Sequence, residues 1–167
     1  GVALILIAVF VASLLRSPSG VGPISGTSTS SAACQIQPYR RDTATAFVTD
    51  GAVITYERNG GPNCIDEIYA IYSDGRIVGD NGVTTIEHRV SPEEVDTLLS
   101  GTVGYGWFTD EMYDTWHTPC GQCYGYYVTV SLGGQEKTVK GVDGGTDAPA
   151  DYWQVVSLVK TIVPRFP

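Results

Sequence analysis

Alternation of apolar and polar positions dominates the middle of the chain. Asp50–Arg58 (DGAVITYER) alternates and is rich in β-branched residues, which predicts a strand with one face buried. Asn59-Gly60-Gly61-Pro62-Asn63 is a turn cluster. Glu67–Tyr72 predicts a second strand and Arg76–Gly79 its return. They are joined at Ser73-Asp74-Gly75, because Asp-Gly between apolar runs tolerates the positive φ of a tight hairpin. Asp80-Asn81-Gly82 predicts another turn, and Val83–Val90 a fourth strand.

The period then changes. Ser91-Pro92-Glu93-Glu94 has the form of a helix start: Ser91 can cap the free N–H groups, Pro92 fits the first turn and Glu94 completes a capping box. Val95, Leu98 and Leu99 fall on one face of this helix, and Gly101 is its expected end. Residues Thr102–Cys123 carry no clear period and read as a long loop dense in aromatic and acidic residues. Alternation returns at Tyr124–Leu132, turns at Gly133-Gly134 and continues through Gln135–Lys140. Gly141–Thr146 reads as a loop. A final helix is expected with Asp147 as its cap, Pro149 in its first turn, Tyr152, Val155, Val156, Val159 and Ile162 on its buried face, and Pro164 as its stop. Four strands, a helix, two strands and a helix predict an α+β two-layer sandwich. Its sheet is a mainly antiparallel meander of about six strands, with both helices on one face.

The first third of the chain follows different rules. Val2–Leu15 is an uncharged apolar run ending at Arg16. As a helix it would span roughly 21 Å, against the roughly 30 Å of a bilayer core. Residues 1–16 therefore read as a signal-peptide h-region or, with more residues upstream, a membrane anchor. Ser17–Ala33 is mostly Ser, Gly, Thr and Pro and is expected to be a flexible tether, leaving 34–167 as the globular domain. Ser31-Ala32-Ala33 before Cys34 has the small residues of a lipobox, but it lies too far behind the apolar run and lacks the usual Leu. The expected location is extracytoplasmic, anchored or secreted.

Composition narrows the partners. The formal net charge of −8 and pI near 4.5 argue against nucleic acid and anionic lipid headgroups, which repel such a surface. Contact with a membrane is expected only through residues 1–16, if they are retained. Outside the cytosol, the four cysteines, Cys34, Cys64, Cys120 and Cys123, favour disulfides. Three pairings are possible, and we take Cys34–Cys64 with Cys120–Cys123 as the working one.

The order of elements resembles a group of uncharacterised bacterial exported domains. The matching residues are Ile54–Arg58, Cys64, Tyr72–Gly75, Ser91–Val95, Val128–Lys140 and Ala148-Pro149. Members of that group carry two nearby cysteines in the first turn, where this chain has Cys64 alone. The resemblance implies export and a fold, and no known activity.

Candidate chemistry is sparse. Cys120-Gly121-Gln122-Cys123 has redox spacing, but it runs into an alternating strand, whereas a reactive thiol of that kind sits at a helix N-terminus. His117, Cys120 and Cys123, with Cys64 as a fourth ligand, have spacing compatible with zinc, although thiols in an oxidising compartment favour disulfides. Pro119-Cys120-x-x-Cys123 lacks the upstream His-x-Glu of a zinc deaminase, and Tyr124 excludes a haem-attachment motif. His88 reads as an ordinary strand residue. In the long loop, Tyr105, Trp107, Phe108, Tyr113 and Trp116 alternate with Asp110, Glu111 and Asp114. Such a mixture binds sugars or cations, or packs a loop onto a sheet. A carboxylate pair within it could hydrolyse glycosides. The reading that follows is a non-enzymatic binding or interaction module, with no cofactor and with a protein or carbohydrate of the cell envelope as partner. Tyr105, Trp107, Tyr113, Trp116, Asp110, Glu111 and Asp114 form its recognition surface. The alternatives are an enzyme using Cys120/Cys123 or the loop carboxylates, and a structural subunit of an envelope assembly.

Overall fold

The computed structural model of the protein describes residues 36, 49–115, 122–143 and 147–167. The elements run β1 (Ile54–Gly60), β2 (Ile65–Ile71), β3 (Arg76–Asp80), β4 (Thr85–Arg89), α1 (Pro92–Gly104), β5 (Tyr124–Leu132), β6 (Gln135–Val142) and α2 (Ala150–Ile162). All belong to the unit Ala32–Pro167. The predicted anchor, residues 1–16, and the tether, 17–33, lie outside the described residues, as do Cys34, Trp116, His117 and Cys120. Among the described residues no helix is long and apolar enough to cross a membrane.

The strands form one antiparallel sheet in the order β4-β3-β2-β1-β5-β6, the α+β arrangement expected from the alternation. Consecutive hairpins build β1 to β4. The chain then passes through α1 and adds β5 to the free side of β1. The apolar phase of each strand sets the core. Ile54 and Tyr56 of β1, Tyr69 and Ile71 of β2, Ile77 of β3, Val128 and Val130 of β5 and Val139 of β6 all point to the helices. There they meet Val95, Leu98 and Leu99 of α1 and Tyr152, Val155, Val156 and Val159 of α2. The opposite face is also buried at its centre, where Thr55, Glu57, Asn59, Ile68, Ala70, Tyr127 and Thr129 lie. There Asn59 Nδ2 donates to the Glu57 carboxylate at 2.7 Å.

The local signals act as their chemistry dictates. Ser91 Oγ accepts from the Glu94 N–H at 3.2 Å, and the Glu94 carboxylate accepts from the Ser91 N–H at 2.8 Å. Leu132 pairs with Gln135, leaving Gly133 and Gly134 at φ of 60° and 79°, the two-residue turn that fits the twist of a hairpin. Some expectations need correction. Asn59-Gly60, read as turn, completes β1, and Gly141-Val142, read as loop, completes β6. Gly101 does not end α1, which continues to Gly104. Its lack of a Cβ lets Leu158 of α2 approach closely, and Tyr105 N–H still donates to Gly101 O at 3.0 Å. Asp147 does not cap α2: the cap position is Pro149, with no side-chain cap bond.

Residues 105–115 are not a free loop. They run along β6, the sheet's outer strand, and occupy its polar edge. Trp107 Nε1 donates to Lys137 O at 3.2 Å, Lys137 Nζ to Thr109 O at 2.6 Å, Lys140 N–H to Asp114 Oδ1 at 2.9 Å and Thr115 N–H to Lys140 O at 2.9 Å. An exposed strand edge invites pairing with another chain, and this segment covers it. The other outer strand, β4, is short and exposes Glu87, His88 and Arg89.

Candidate functional site

The inward phase of β1 begins apolar at Ile54 and Tyr56 and then places Arg58 on the same face, because side chains two residues apart share a side of a strand. The same phase of β2 carries Tyr69 and Glu67, and that of β5 carries Tyr126 and Tyr124. Register completes the row: Tyr56 lies opposite Tyr69, and Arg58 lies between Glu67 on one side and Tyr126 on the other. Arg58 Nη2 donates to Glu67 Oε2 at 2.9 Å. The guanidinium lies 5.4 Å from the Tyr124 ring centroid, and its buried Nε has no hydrogen-bond partner.

The last turn of α2 passes over this row. Lys160 places its Nζ 4.3 Å from the Tyr126 ring centroid. Val163 leaves the helical conformation at ψ 133°, and Pro164, with no N–H to donate, cannot continue the helix. The chain instead brings Phe166 to 5.6 Å from the Tyr69 ring centroid. Between sheet and tail is a cavity of about 400 Å³, lined by Tyr56, Arg58, Glu67, Tyr69, Lys160 and residues 163–166.

Its electrostatics are opposite to those of the chain as a whole. Three cations, Arg58, Lys160 and Arg165, face one carboxylate, Glu67. Among the described residues the side-chain ion pairs are Arg58–Glu67 and Arg89–Asp74, so neither Lys160 nor Arg165 has a carboxylate partner. Burial lowers the Lys160 pKa, the Arg58 charge lowers it further, and Asp143 opposes both. Burial also works against the charge on Arg58, but Glu67, through charge and hydrogen bond, turns the net shift upward with help from Tyr56 and Tyr126. Burial pushes Tyr56 and Tyr69 above the ordinary phenol range and Tyr126 up to about 12. The site thus offers cations, neutral aromatic hydroxyls and ring faces.

The residues singled out in the sequence are dispersed by comparison. Trp107 is fully buried against Tyr152, so it belongs to the core and cannot present a recognition surface. Tyr105 and Phe108 are half-buried, and Tyr113, Asp110, Glu111 and Asp114 are exposed. Asp114 is engaged with the Lys140 backbone, and the Tyr113 hydroxyl donates to Asp147 O at 3.3 Å. None of them lines the cavity above or the second one, between α1 and α2, which is walled by Glu93, Glu94, Thr97, Leu98, Leu158, Thr161 and Ile162.

Neither Cys64 nor Cys123 is a free thiol. Cys123 immediately precedes β5, and its carbonyl accepts from Gly61 N–H at 2.9 Å. The chain beyond it is therefore strand, without the helix N-terminus that activates a redox cysteine. Cys64 sits in the β1–β2 turn at φ 49°. Among the described residues no group of three His, Cys, Asp or Glu side chains is arranged to hold a metal.

Sequence reasoning missed Tyr56, Arg58, Glu67, Tyr69, Lys160, Arg165 and Phe166. A usable signal was present in two of them: Arg58 and Glu67 are charges in the inward phase of otherwise apolar strands.

No protein-family model and no curated protein matches the chain.

Proposed function

We propose that this domain is a non-enzymatic extracytoplasmic binding module, tethered or secreted, whose ligand site is the cavity between β1, β2 and the end of α2. One observation carries the reading. In a chain of net charge −8, three cations converge on a cavity whose apolar side is formed by half-buried Val163, Pro164 and Phe166 over the buried rings of Tyr56 and Tyr69. Concave sites of roughly 300–1,000 Å³ with apolar walls and a few convergent polar groups are the usual form of small-ligand sites. The apolar run Val2–Leu15 and the tether behind it support display outside the cytoplasm. The oxidised state of Cys64 and Cys123 supports the same compartment.

The disulfides are Cys34–Cys64 and Cys120–Cys123 in this reading. Ile36 lies against Gly60, where an added Cβ would meet it at 3.1 Å, and the Cys123 carbonyl lies at the same distance, so the chain two residues after Cys34 is beside both the turn that holds Cys64 and the start of β5.

The test is a small-molecule thermal-shift screen of the full chain, run in parallel on the Lys160→Glu/Arg165→Glu double variant. Ligands that stabilise the wild type and not the variant support the cavity. Ligands unaffected by the double variant but lost on changing Tyr105 and Tyr113 would move the site to the segment along β6.

A further inference from the structure

We infer that the ligand of this pocket is a monocarboxylate carried on an aromatic or bulky apolar body. This is the shared chemistry of a free aryl acid and of the carboxy-terminal aromatic residue of a peptide. The inference rests on the cavity being the binding site and adds the class of ligand.

Charge comes first. The wall holds three cations against Glu67 alone, a surplus of two positive charges within the lining; among the described residues neither Lys160 nor Arg165 forms an ion pair, and Asp143 acts on Lys160 from outside the lining. Arg58 uses Nη2 on Glu67 and its Nε is sealed from solvent, so an incoming anion meets the remaining, partly exposed side of the guanidinium. A carboxylate can accept a charge-assisted hydrogen bond there, and the Lys160 ammonium supplies a point charge beside it. A dianionic phosphate matches less well, because Glu67 stands in the same wall and repels the second charge. The ligand anion would lie between Arg58 and Lys160, which repel each other, and would remove that repulsion.

Shape comes second. Half-buried Phe166, Val163 and Pro164 give the lining its apolar side. The buried rings of Tyr56 and Tyr69 lie beneath them, with Phe166 5.6 Å from Tyr69 and inclined by 42°. The partly open Phe166 ring can accept another flat ring by edge or face. A cavity of about 400 Å³ holds one such residue-sized group and excludes a folded partner's surface.

The experiment is isothermal titration of the full chain with 3-phenylpropanoate, N-acetylphenylalanine, N-acetylphenylalanine amide, phenyl phosphate and acetate. Both aromatic carboxylates are expected to bind. The amide and acetate should each bind at least about tenfold more weakly, as expected from losing one charge-assisted contact or the apolar body. Lys160→Met and Arg165→Ala should each weaken the acids and leave the weak amide unchanged, with circular dichroism confirming that both variants are folded. Tighter binding of N-acetylphenylalanine than of 3-phenylpropanoate assigns the site to a peptide terminus, and the reverse order assigns it to a free acid. Equal binding of acid and amide, or tighter binding of phenyl phosphate, overturns the carboxylate inference while leaving the cavity as the site. If no probe binds and the screen yields no ligand sensitive to the double variant, the cavity reading falls together with this one.

Discussion

Replacing Trp107 with alanine should cost the domain about 4–5 kcal/mol of stability without directly removing a ligand contact. The indole is fully buried, its centroid is 6.3 Å from that of Tyr152, and its Nε1 donates to Lys137 O at 3.2 Å. A buried aromatic side chain removes about 150–250 Å² from water, which at about 25 cal/mol per Å² gives roughly 4–6 kcal/mol. That figure is an upper bound, because the unfolded chain already buries part of its apolar surface. Large-to-small changes of this kind cost about 3–5 kcal/mol when the void does not collapse. Loss of the donor to the Lys137 carbonyl adds about 1 kcal/mol. The assay is urea unfolding with the disulfides intact, comparing wild type, Trp107→Ala and Trp107→Phe. Phenylalanine should recover more than half of the loss, since it restores most of the volume but not the hydrogen bond. A loss below about 1 kcal/mol in Trp107→Ala, which is ordinary for a surface substitution, combined with loss of ligand binding, would make Trp107 a recognition residue and refute its place in the core.

The buried tyrosines make stability fall in alkali. Tyr56, Tyr69 and Tyr152 are raised above their ordinary range, and Tyr126 to about 12, all first by burial. Their stabilising contribution is complete below about pH 10, the unfolded value, and is lost as pH rises through the folded values. Phenolate absorbance of these four should therefore appear together with unfolding, and early ionisation of the folded chain would contradict their burial. Ser91→Ala should cost about 1 kcal/mol in chemical denaturation by removing the helix cap, and no change would mean that the capping box does not form in solution. Hydrogen bonds from Ser91 lower the Glu94 pKa, so the contribution of this carboxylate is present above its unfolded pKa and lost as pH falls through the folded one. The deficit of Glu94→Gln should accordingly vanish in acid. Alkylation without reductant should leave Cys64 and Cys123 unmodified, and peptide mapping should recover Cys34 with Cys64 and Cys120 with Cys123. Modified Cys123 would revive the redox reading.

The sequence was most informative where one short stretch decides the structure. Asp74-Gly75, Gly133-Gly134 and Ser91-x-x-Glu94 each contain the whole of their local geometry, so turns and helix start could be placed before any tertiary contact was known. Boundaries were less legible where packing decides. Gly101 reads as a helix end in isolation, yet in the fold it admits Leu158, and the helix runs past it. The segment 105–115 has no period because it is a chain of local turns fastened to β6 through Trp107, Thr109, Asp114 and Thr115. The cavity was hidden for a further reason. Arg58 is separated from Lys160 and Arg165 by most of the domain in sequence, and they meet only because β1 is a central strand of the sheet and α2 ends above it. The aromatic loop drew attention by composition alone, and composition does not distinguish a ring that packs from one that is presented.

The most direct test of the account is nuclear magnetic resonance mapping of the isotope-labelled chain titrated with N-acetylphenylalanine. The account predicts shift changes concentrated at Tyr56, Arg58, Glu67, Tyr69, Lys160 and Phe166, with Tyr105 and Tyr113 silent. Changes confined to Tyr105, Tyr113 and their neighbours along β6, with the cavity residues unmoved, would contradict it.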